Sequence, residues 1–228
     1  MAHNEAANPA AAEHDDRIEQ IIQLARQLSV AVEYCDQKAL AKLADNTSHQ
    51  GVVLEYRDKG PGDEKSLNRH LSDGSGSLVL LLDGVQDPHN LGACLRSAAA
   101  MAVDALVLPK DNAVALTPVA MKVAAGGSTR VPLFRVTNLA RVIGGLQQRD
   151  FWVYGAAGDA PQELAALDMN GPVALVMGAE GSGMRARTRK SCDTLFRIPM
   201  PGEMESLNVS VATGVALYEV ARQRAATR

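Results

Sequence analysis

The chain has 228 residues, of which 46% are hydrophobic and 21% charged, and its formal net charge is −3. This composition is ordinary for a globular protein and excludes a chain that is disordered throughout. No apolar run in the sequence reaches the length of about 20 residues that is needed to cross a bilayer. The first residues also lack the pattern of a signal peptide. Tight nonspecific binding to nucleic acid is also disfavoured, because such binding needs many Lys and Arg side chains. We therefore expect a cytoplasmic protein without membrane contact.

The first third of the chain is acidic and predicts a small α/β segment. Residues 1–75 carry 8 basic and 13 acidic side chains, whereas residues 76–228 carry 15 and 13. We expect a disordered, Ala-rich tail over residues 1–16, followed by a helix that Asp16 caps and whose apolar positions repeat every three or four residues. Short strands near residues 30–32 and 52–54 and a helix near residues 39–44 complete a segment over 17–58. The turn-rich residues 59–76 then predict a linker.

Beyond this linker, residues 77–228 predict a parallel sheet. Near-continuous apolar runs alternate with helical stretches, which is typical of strands that helices cover on both faces. The runs are Leu78–Leu82, Ala105–Leu108, Val131–Phe134, Phe151–Tyr154, Val173–Met177 and Leu195–Ile198. A last helix is predicted from about Leu207 to Arg224, and its small side chains would let a partner pack closely against it.

Cysteine usage predicts no disulfide framework and no zinc site. Cys35, Cys94 and Cys192 are odd in number and far apart in the sequence. Their spacing fits none of the usual metal-ligand patterns, so we expect no metal and interpret all three as reduced, small core residues.

Three polar or glycine-rich segments follow apolar strands, at the positions where open parallel sheets bind ligands. The segment Gly178–Gly183 has the form G-x-E-G-x-G, which indicates either backbone amides facing a ligand or only a tight turn. A dinucleotide-binding site is disfavoured, because its glycines would follow the first strand. The basic run from Arg185 to Lys190 predicts either a phosphate contact or a solvated helix face.

The other two segments, Asn90–Arg96 and Ile198–Ser210, carry further polar side chains near predicted helix starts. Asn90 is either a ligand-facing residue or the cap of the helix that follows it. Arg96 interrupts a small, apolar helix, where a guanidinium needs a partner or a ligand. Ser206 is a good helix cap, whereas Asn208 in the first turn is less well explained by helix propensity.

In this order, the three segments resemble the motifs of the SpoU/TrmH branch of the SPOUT superfamily, whose members are RNA ribose 2'-O-methyltransferases. The strongest resemblance lies in Leu175–Gly181, Ile198–Met200 and Ser206–Ala212, and it extends over residues 77–225. It implies a SPOUT catalytic domain with a C-terminal trefoil knot, S-adenosylmethionine as cofactor, an RNA substrate and a homodimer formed by the knot region and the last helix.

The resemblance also implies roles for individual residues. Gly178, Ile198 and Leu207 would contact S-adenosylmethionine, with Met200 beside the adenine. Arg96 would activate the ribose hydroxyl as a base or, more conservatively, orient the hydroxyl or a phosphate. Glu180 would pair with that guanidinium. Hydrogen bonds from the three remaining site residues would hold Arg96 and the ribose in place; these residues are Asn90, Ser206 and Asn208.

Residues 18–56 resemble the second half of the L30e-like RNA-recognition domain of bacterial 23S rRNA guanosine 2'-O-methyltransferases. The run from Val85 to Gly92 also looks more like this subgroup than like the tRNA enzymes. Methylation of a guanosine in 23S rRNA is therefore the expected activity, with a truncated RNA-recognition segment. A tRNA guanosine methyltransferase and a catalytically silent RNA-binding homologue remain the alternatives.

Overall fold

The computed structural model describes residues 9–44, 49–55, 60–72 and 77–227, with side chains described from residue 16 onward. The chain divides between residues 59 and 60 into two compact units. In the described part of the chain, no helix is both long and apolar enough to cross a lipid bilayer.

The described part of the first unit contains two helices, α1 at Pro9–Gln27 and α2 at Gln37–Leu43, joined to irregular segments. Asp36 caps α2 by accepting from the Ala39 N–H at 2.8 Å, close to the predicted helix start. Helix α1 begins seven residues before the expected Asp16 cap, so residues 9–16 are not the predicted disordered tail. Residues 1–8 lie outside the described residues.

The two predicted strands of this unit are absent: residues 30–32 and 52–54 are irregular. A strand is stable only when a neighbouring strand takes up its backbone hydrogen bonds, and neither segment has such a neighbour among the described residues. The L30e-like fold of this unit therefore stays a prediction.

The second unit contains a seven-stranded sheet in the order β3-β2-β1-β6-β4-β7-β5, in which every neighbouring pair is parallel. The six predicted strands are confirmed to within two residues at each end. The strands are β1 Leu78–Asp83, β2 Ala105–Pro109, β3 Leu133–Val136, β4 Trp152–Ala156, β5 Gln162–Glu163, β6 Val173–Gly178 and β7 Thr194–Arg197. The two-residue β5 was not predicted, since it is too short for a periodic pattern.

Helices cover both faces of this sheet, as its apolar strands predicted. Alternate side chains of β1 belong to different cores: Leu80 and Leu82 to one, Val79 and Leu81 to the other. The helices of this unit are α3 Glu64–Ser72, α4 Pro88–Ala100, α5 Pro118–Ala124, α6 Gly127–Arg130, α7 Leu139–Gln147, α8 Ala186–Ser191 and α9 Val209–Ala226, and a short 3-10 helix spans Leu164–Ala166. Helices α4, α5 and α9 pack on the first face, and α3 and α7 pack on the second.

The predicted linker over 59–76 differs from the structure, because most of it belongs to the second unit. Helix α3 buries Leu67 and Leu71 against the sheet, and the Gly62 N–H donates to the Leu133 carbonyl at 2.8 Å. Two leucines four residues apart are too few to show a helical period within a polar stretch. Residues 73–76 lie outside the described residues, and the remaining domain boundaries and the trefoil knot stay predictions.

The cysteines occupy different environments. Cys94 is fully buried, and burial raises the pKa of its thiol to about 11, while its Sγ lies 3.6 Å from Thr213 Oγ1. Burial likewise raises the pKa of Cys192 to about 12. Cys35 is exposed, so it is not the core residue that was expected. The expected core role therefore holds for two of the three.

Candidate active site

The three sequence segments meet at the carboxyl edge of the sheet. Asn90 lies in the first turn of α4, Glu180 follows β6, and Asn208 precedes α9. The carboxyl ends of parallel strands lie at one edge of the sheet. Asn90 therefore becomes a neighbour of Glu180, 90 positions later in the sequence, and of Asn208, 118 positions later.

Helix α4 begins with a cap that the sequence interpretation missed. Asp87 is the N-cap and accepts from the His89 N–H at 3.0 Å, and Pro88 occupies the first turn. The alternative that Asn90 caps this helix is therefore wrong, and the Asn90 side chain faces other residues. The pair Asp87-Pro88 was the available signal, because proline is favoured just after an N-cap.

Helix α9 begins differently from its prediction as well. Asn208 is its N-cap: its Oδ1 accepts from the Ser210 N–H at 2.9 Å and from the Val211 N–H at 3.4 Å. Ser206, the residue favoured as a cap, lies two residues earlier and is exposed. The cap fixes Asn208 and leaves its amide nitrogen free to donate elsewhere.

Asn90, Glu180 and Asn208 form a closed set of hydrogen bonds. Asn90 Nδ2 donates to Glu180 Oε1 at 2.9 Å, and Asn208 Nδ2 donates to Asn90 Oδ1 at 2.9 Å and to Glu180 Oε1 at 2.5 Å. The Val209 N–H also donates to Glu180 Oε1 at 3.3 Å. Glu180 Oε2 accepts no hydrogen bond from the described residues. One carboxylate oxygen is thus fixed and the other is available to a ligand.

The loop that carries Glu180 is a tight, glycine-dependent turn. Ala179 and Gly183 exchange backbone hydrogen bonds of 3.1 and 2.9 Å, and Gly181 and Gly183 have φ values of 73° and 66°. A Cβ at Gly178 would lie 2.3 Å from backbone atoms of Gly183 and Met184. The tight turn that the glycines predicted is therefore confirmed, while a ligand at the backbone amides of this segment stays a prediction.

Arg185 anchors the end of this loop to the sheet. Asp83 is 1% exposed at the end of β1 and accepts from the Arg185 N–H at 2.9 Å and from Arg185 Nε at 2.6 Å. Arg189 binds both oxygens of Asp159 at 2.9 Å, and this contact holds the Asp159 pKa below its usual value. Two members of the basic run are therefore occupied by protein carboxylates, while Arg187 and Lys190 remain exposed.

All four predicted cofactor residues line one cavity of about 350 Å³ at this edge. Its walls are mostly apolar side chains and glycines, to which Glu180 and Glu205 add carboxylates and Arg197 adds a guanidinium. The predicted members are Gly178, Ile198, Met200 and Leu207, together with Ser206 and Glu180. The sequence interpretation missed residues 156–158 and Glu205. The position of Gly158 just beyond the carboxyl end of β4 was the available signal.

Arg96 is not part of this cluster. Its side chain is exposed and has no hydrogen bond or ion pair within the described ranges, so the predicted pairing with Glu180 is not observed. Six helical residues separate Arg96 from Asn90, which is a rise of about 9 Å and a rotation of about 240° beyond one full turn. Asn90 and Asn208 take the place at Glu180 that was expected for the guanidinium.

Over the residues that the structure describes, no group of three or more His, Cys, Asp or Glu side chains is arranged to hold a metal ion. The fold and the cavity together define the class of open parallel α/β proteins that bind a ligand at the carboxyl edge of the sheet.

Sequence comparison narrows this class. Residues 77–218 match the model of the SpoU rRNA Methylase family, and residues 10–61 match a model described as RNA 2'-O ribose methyltransferase substrate binding. The chain therefore belongs to the SpoU rRNA methylase family, and the predicted family is confirmed.

Curated relatives cover most of the chain. The 23S rRNA (guanosine-2'-O-)-methyltransferases RlmB of Shewanella oneidensis and Pseudomonas aeruginosa are 47% and 49% identical to it over 92% of its length, which corresponds to 85% of each relative. The SpoU methyltransferase AviRb of Streptomyces viridochromogenes, solved in complex with AdoMet, superposes with a TM-score of 0.61 at 27% identity. That superposition covers 65% of this chain and 60% of AviRb.

Proposed function

We propose that this protein transfers a methyl group from S-adenosylmethionine to the ribose 2'-hydroxyl of a guanosine in 23S rRNA. The observation that carries the proposal is the Asn90–Glu180–Asn208 set, which lies at the cavity that the cofactor would fill. The two curated relatives described above are named for this activity, and nearly half of their aligned residues are identical to those of this chain.

The cavity fits S-adenosylmethionine chemically. Ile198, Met200 and Leu207 supply apolar surface for an adenine ring, and Gly178, which also lines the cavity, lets its loop pass close to the backbone of Gly183 and Met184. Glu205 and Arg197 add one negative and one positive side chain to the lining, beside a ligand that carries a sulfonium, an ammonium and a carboxylate group. Bound there, S-adenosylmethionine supplies an electrophilic methyl group.

The protein side chains then have to position the ribose hydroxyl. Glu180 Oε2 is the available acceptor for the 2'-hydroxyl proton, and Asn90 and Asn208 hold this carboxylate in one orientation through Oε1. Fixing the two reacting groups in line removes much of the entropic barrier to transfer. Arg96 is free to bind an RNA phosphate, for which the planar guanidinium is well suited.

The first unit would contribute to RNA recognition, in keeping with its match to the substrate-binding family model. The acidic balance of this part of the chain means that such recognition would rest on shape and specific contacts more than on charge. Because the proposed substrate is 23S rRNA, we also propose that the protein acts in the cytoplasm.

A homodimer is also proposed, with α9 at the interface. Val211, Val215 and Tyr218 are 51%, 38% and 59% exposed, and their spacing places them on one side of the helix. An exposed apolar row of this kind is typical of a surface that a partner covers. Sedimentation equilibrium at micromolar concentration tests it: a dimer mass is expected, and a monomer mass contradicts the proposal.

The activity is tested with unmodified 23S rRNA and unmodified bulk tRNA as competing methyl acceptors, followed by nucleoside analysis of the products. Wild-type protein is expected to form 2'-O-methylguanosine in 23S rRNA. Glu180→Gln is expected to lower kcat by about 100-fold while S-adenosylmethionine still binds, because the hydroxyl loses its acceptor. Glu203→Gln, an exposed carboxylate on the neighbouring loop, is the matched control. Methylation of tRNA instead would favour the tRNA enzyme, and no transfer would favour the silent homologue.

A further inference from the structure

A second cavity, of about 260 Å³, adjoins the cofactor cavity at Glu180. The two cavities share Ala179, Glu180 and Val209 as lining residues. The second cavity is otherwise lined by the loop between β1 and α4, by Asn90 and by Ser182; the loop residues are Gly84, Val85, Gln86 and Asp87. Its lining is thus partly polar and includes Asn90 and Glu180 of the hydrogen-bonded set.

Resting on the proposed function, we infer that this cavity takes the guanine base of the target nucleotide and that Asp87 is the residue that selects it. A nucleoside whose ribose hydroxyl lies at Glu180 has to place its base beside this carboxylate. The cofactor would fill the first cavity, so the adjoining second cavity is the space that remains for the base.

Asp87 is already oriented for this role by its position as a helix cap. Its Oδ1 accepts a hydrogen bond from the His89 N–H at 3.0 Å, and this bond holds the carboxylate at the N-terminus of α4. Oδ2 accepts no hydrogen bond from any residue that the structure describes, and the side chain is exposed. The cavity therefore offers one unused, negatively charged acceptor whose direction the cap determines.

A carboxylate acceptor distinguishes guanine from the other bases. The Watson–Crick edge of guanine presents two adjacent donors, N1–H and the N2 amino group, whereas adenine and cytosine present a ring nitrogen acceptor there. Uracil has a single N–H flanked by two carbonyl oxygens, which a carboxylate repels. The Gln86 side chain, also in the cavity lining, carries an amide donor suited to guanine O6.

The test compares wild-type protein with Asp87→Asn on unmodified 23S rRNA. Asparagine caps helices as well as aspartate does, so α4 is retained while the charged acceptor is lost. We expect kcat/KM for the RNA to fall by about 10- to 100-fold, with KM for S-adenosylmethionine unchanged. Asp63→Asn is the matched control, because Asp63 also bonds a helix-start N–H, that of Ser66 at 2.8 Å, and does not line the cavity.

A second measurement uses a short transcript that carries guanosine or inosine at the mapped target position. Inosine lacks the N2 amino group, so wild-type protein should prefer guanosine, whereas Asp87→Asn should lose most of this preference. Equal rates for wild type and variant, or an unchanged preference for guanosine in the variant, would overturn the inference alone. Wild-type protein that methylates no guanosine would overturn the proposed function as well, so the two failures are distinguishable.

Discussion

Asp83 accepts hydrogen bonds from both the backbone N–H and the guanidinium of Arg185, across 102 residues of chain. The carboxylate is buried at the end of β1, and the guanidinium closes the loop that carries Glu180. This contact therefore links the sheet to the candidate catalytic carboxylate.

Replacing Asp83 by Asn should lower both stability and activity. We expect a loss of about 1–3 kcal/mol in the free energy of unfolding, because hydrogen bonds to a charged group are lost in a buried position. Urea unfolding measures this change, and the methyl-transfer rate should fall with it. Asp159→Asn, which breaks the exposed ion pair with Arg189, should leave both quantities nearly unchanged. Equal effects in the two variants would show that burial of Asp83 is unimportant.

Gly178→Ala should weaken cofactor binding about 100-fold without unfolding the sheet. The added Cβ would lie 2.3 Å from backbone atoms, so the loop from Gly178 to Met184 has to shift. Displacing this packed backbone segment should cost about 3 kcal/mol of binding free energy, which corresponds to about 100-fold weaker affinity for S-adenosylmethionine. Titration calorimetry measures this affinity. Gly144→Ala in α7 meets open space and serves as the control. Normal affinity in Gly178→Ala would remove this loop from the cofactor site.

Arg96→Ala should slow methyl transfer strongly while the fold and cofactor affinity persist. The side chain is exposed and unpaired within the described part of the chain, so its removal costs no internal contact. Loss of one positioned donor predicts a rate about 100- to 1,000-fold lower, measured under saturating S-adenosylmethionine. Arg187→Ala, which removes another exposed guanidinium, is the matched control. Retained turnover in Arg96→Ala would exclude Arg96 from the reaction.

Glu219 should make the stability of the second unit sensitive to acid. Its hydrogen bonds with Arg222, and to a lesser extent with Gln223, lower the pKa of its carboxyl below the usual 4.5. Because the folded pKa is the lower one, this stabilisation is fully present above the unfolded pKa and is lost as pH falls through the folded pKa.

Urea unfolding between pH 7 and pH 3 measures the effect of Glu219. Glu219→Gln should cost about 1 kcal/mol at pH 7 and flatten the decline in stability below pH 4.5. Glu203→Gln, on an exposed loop, should keep the wild-type profile. A profile for Glu219→Gln that is parallel to wild type would assign the acid sensitivity to other carboxyls.

The sequence by itself determined the strands of the second unit and the family. Continuous apolar runs such as Leu78–Leu82 are readable because a parallel strand is buried on both faces, and this burial acts on each residue locally. The glycines and polar residues of the motifs were readable for a similar reason. Gly178 is required by a backbone approach within its own loop.

Only the tertiary structure decided which polar side chains meet. Glu180 bonds Asn90 and Asn208 rather than Arg96, and this choice depends on where α4, β6 and α9 end in space. Helix α3 and the missing strands of the first unit follow the same rule, since each depends on neighbours that are distant in the chain. Local patterns record burial and turns, whereas a hydrogen bond across 90 or 118 residues is fixed only when the whole sheet is assembled.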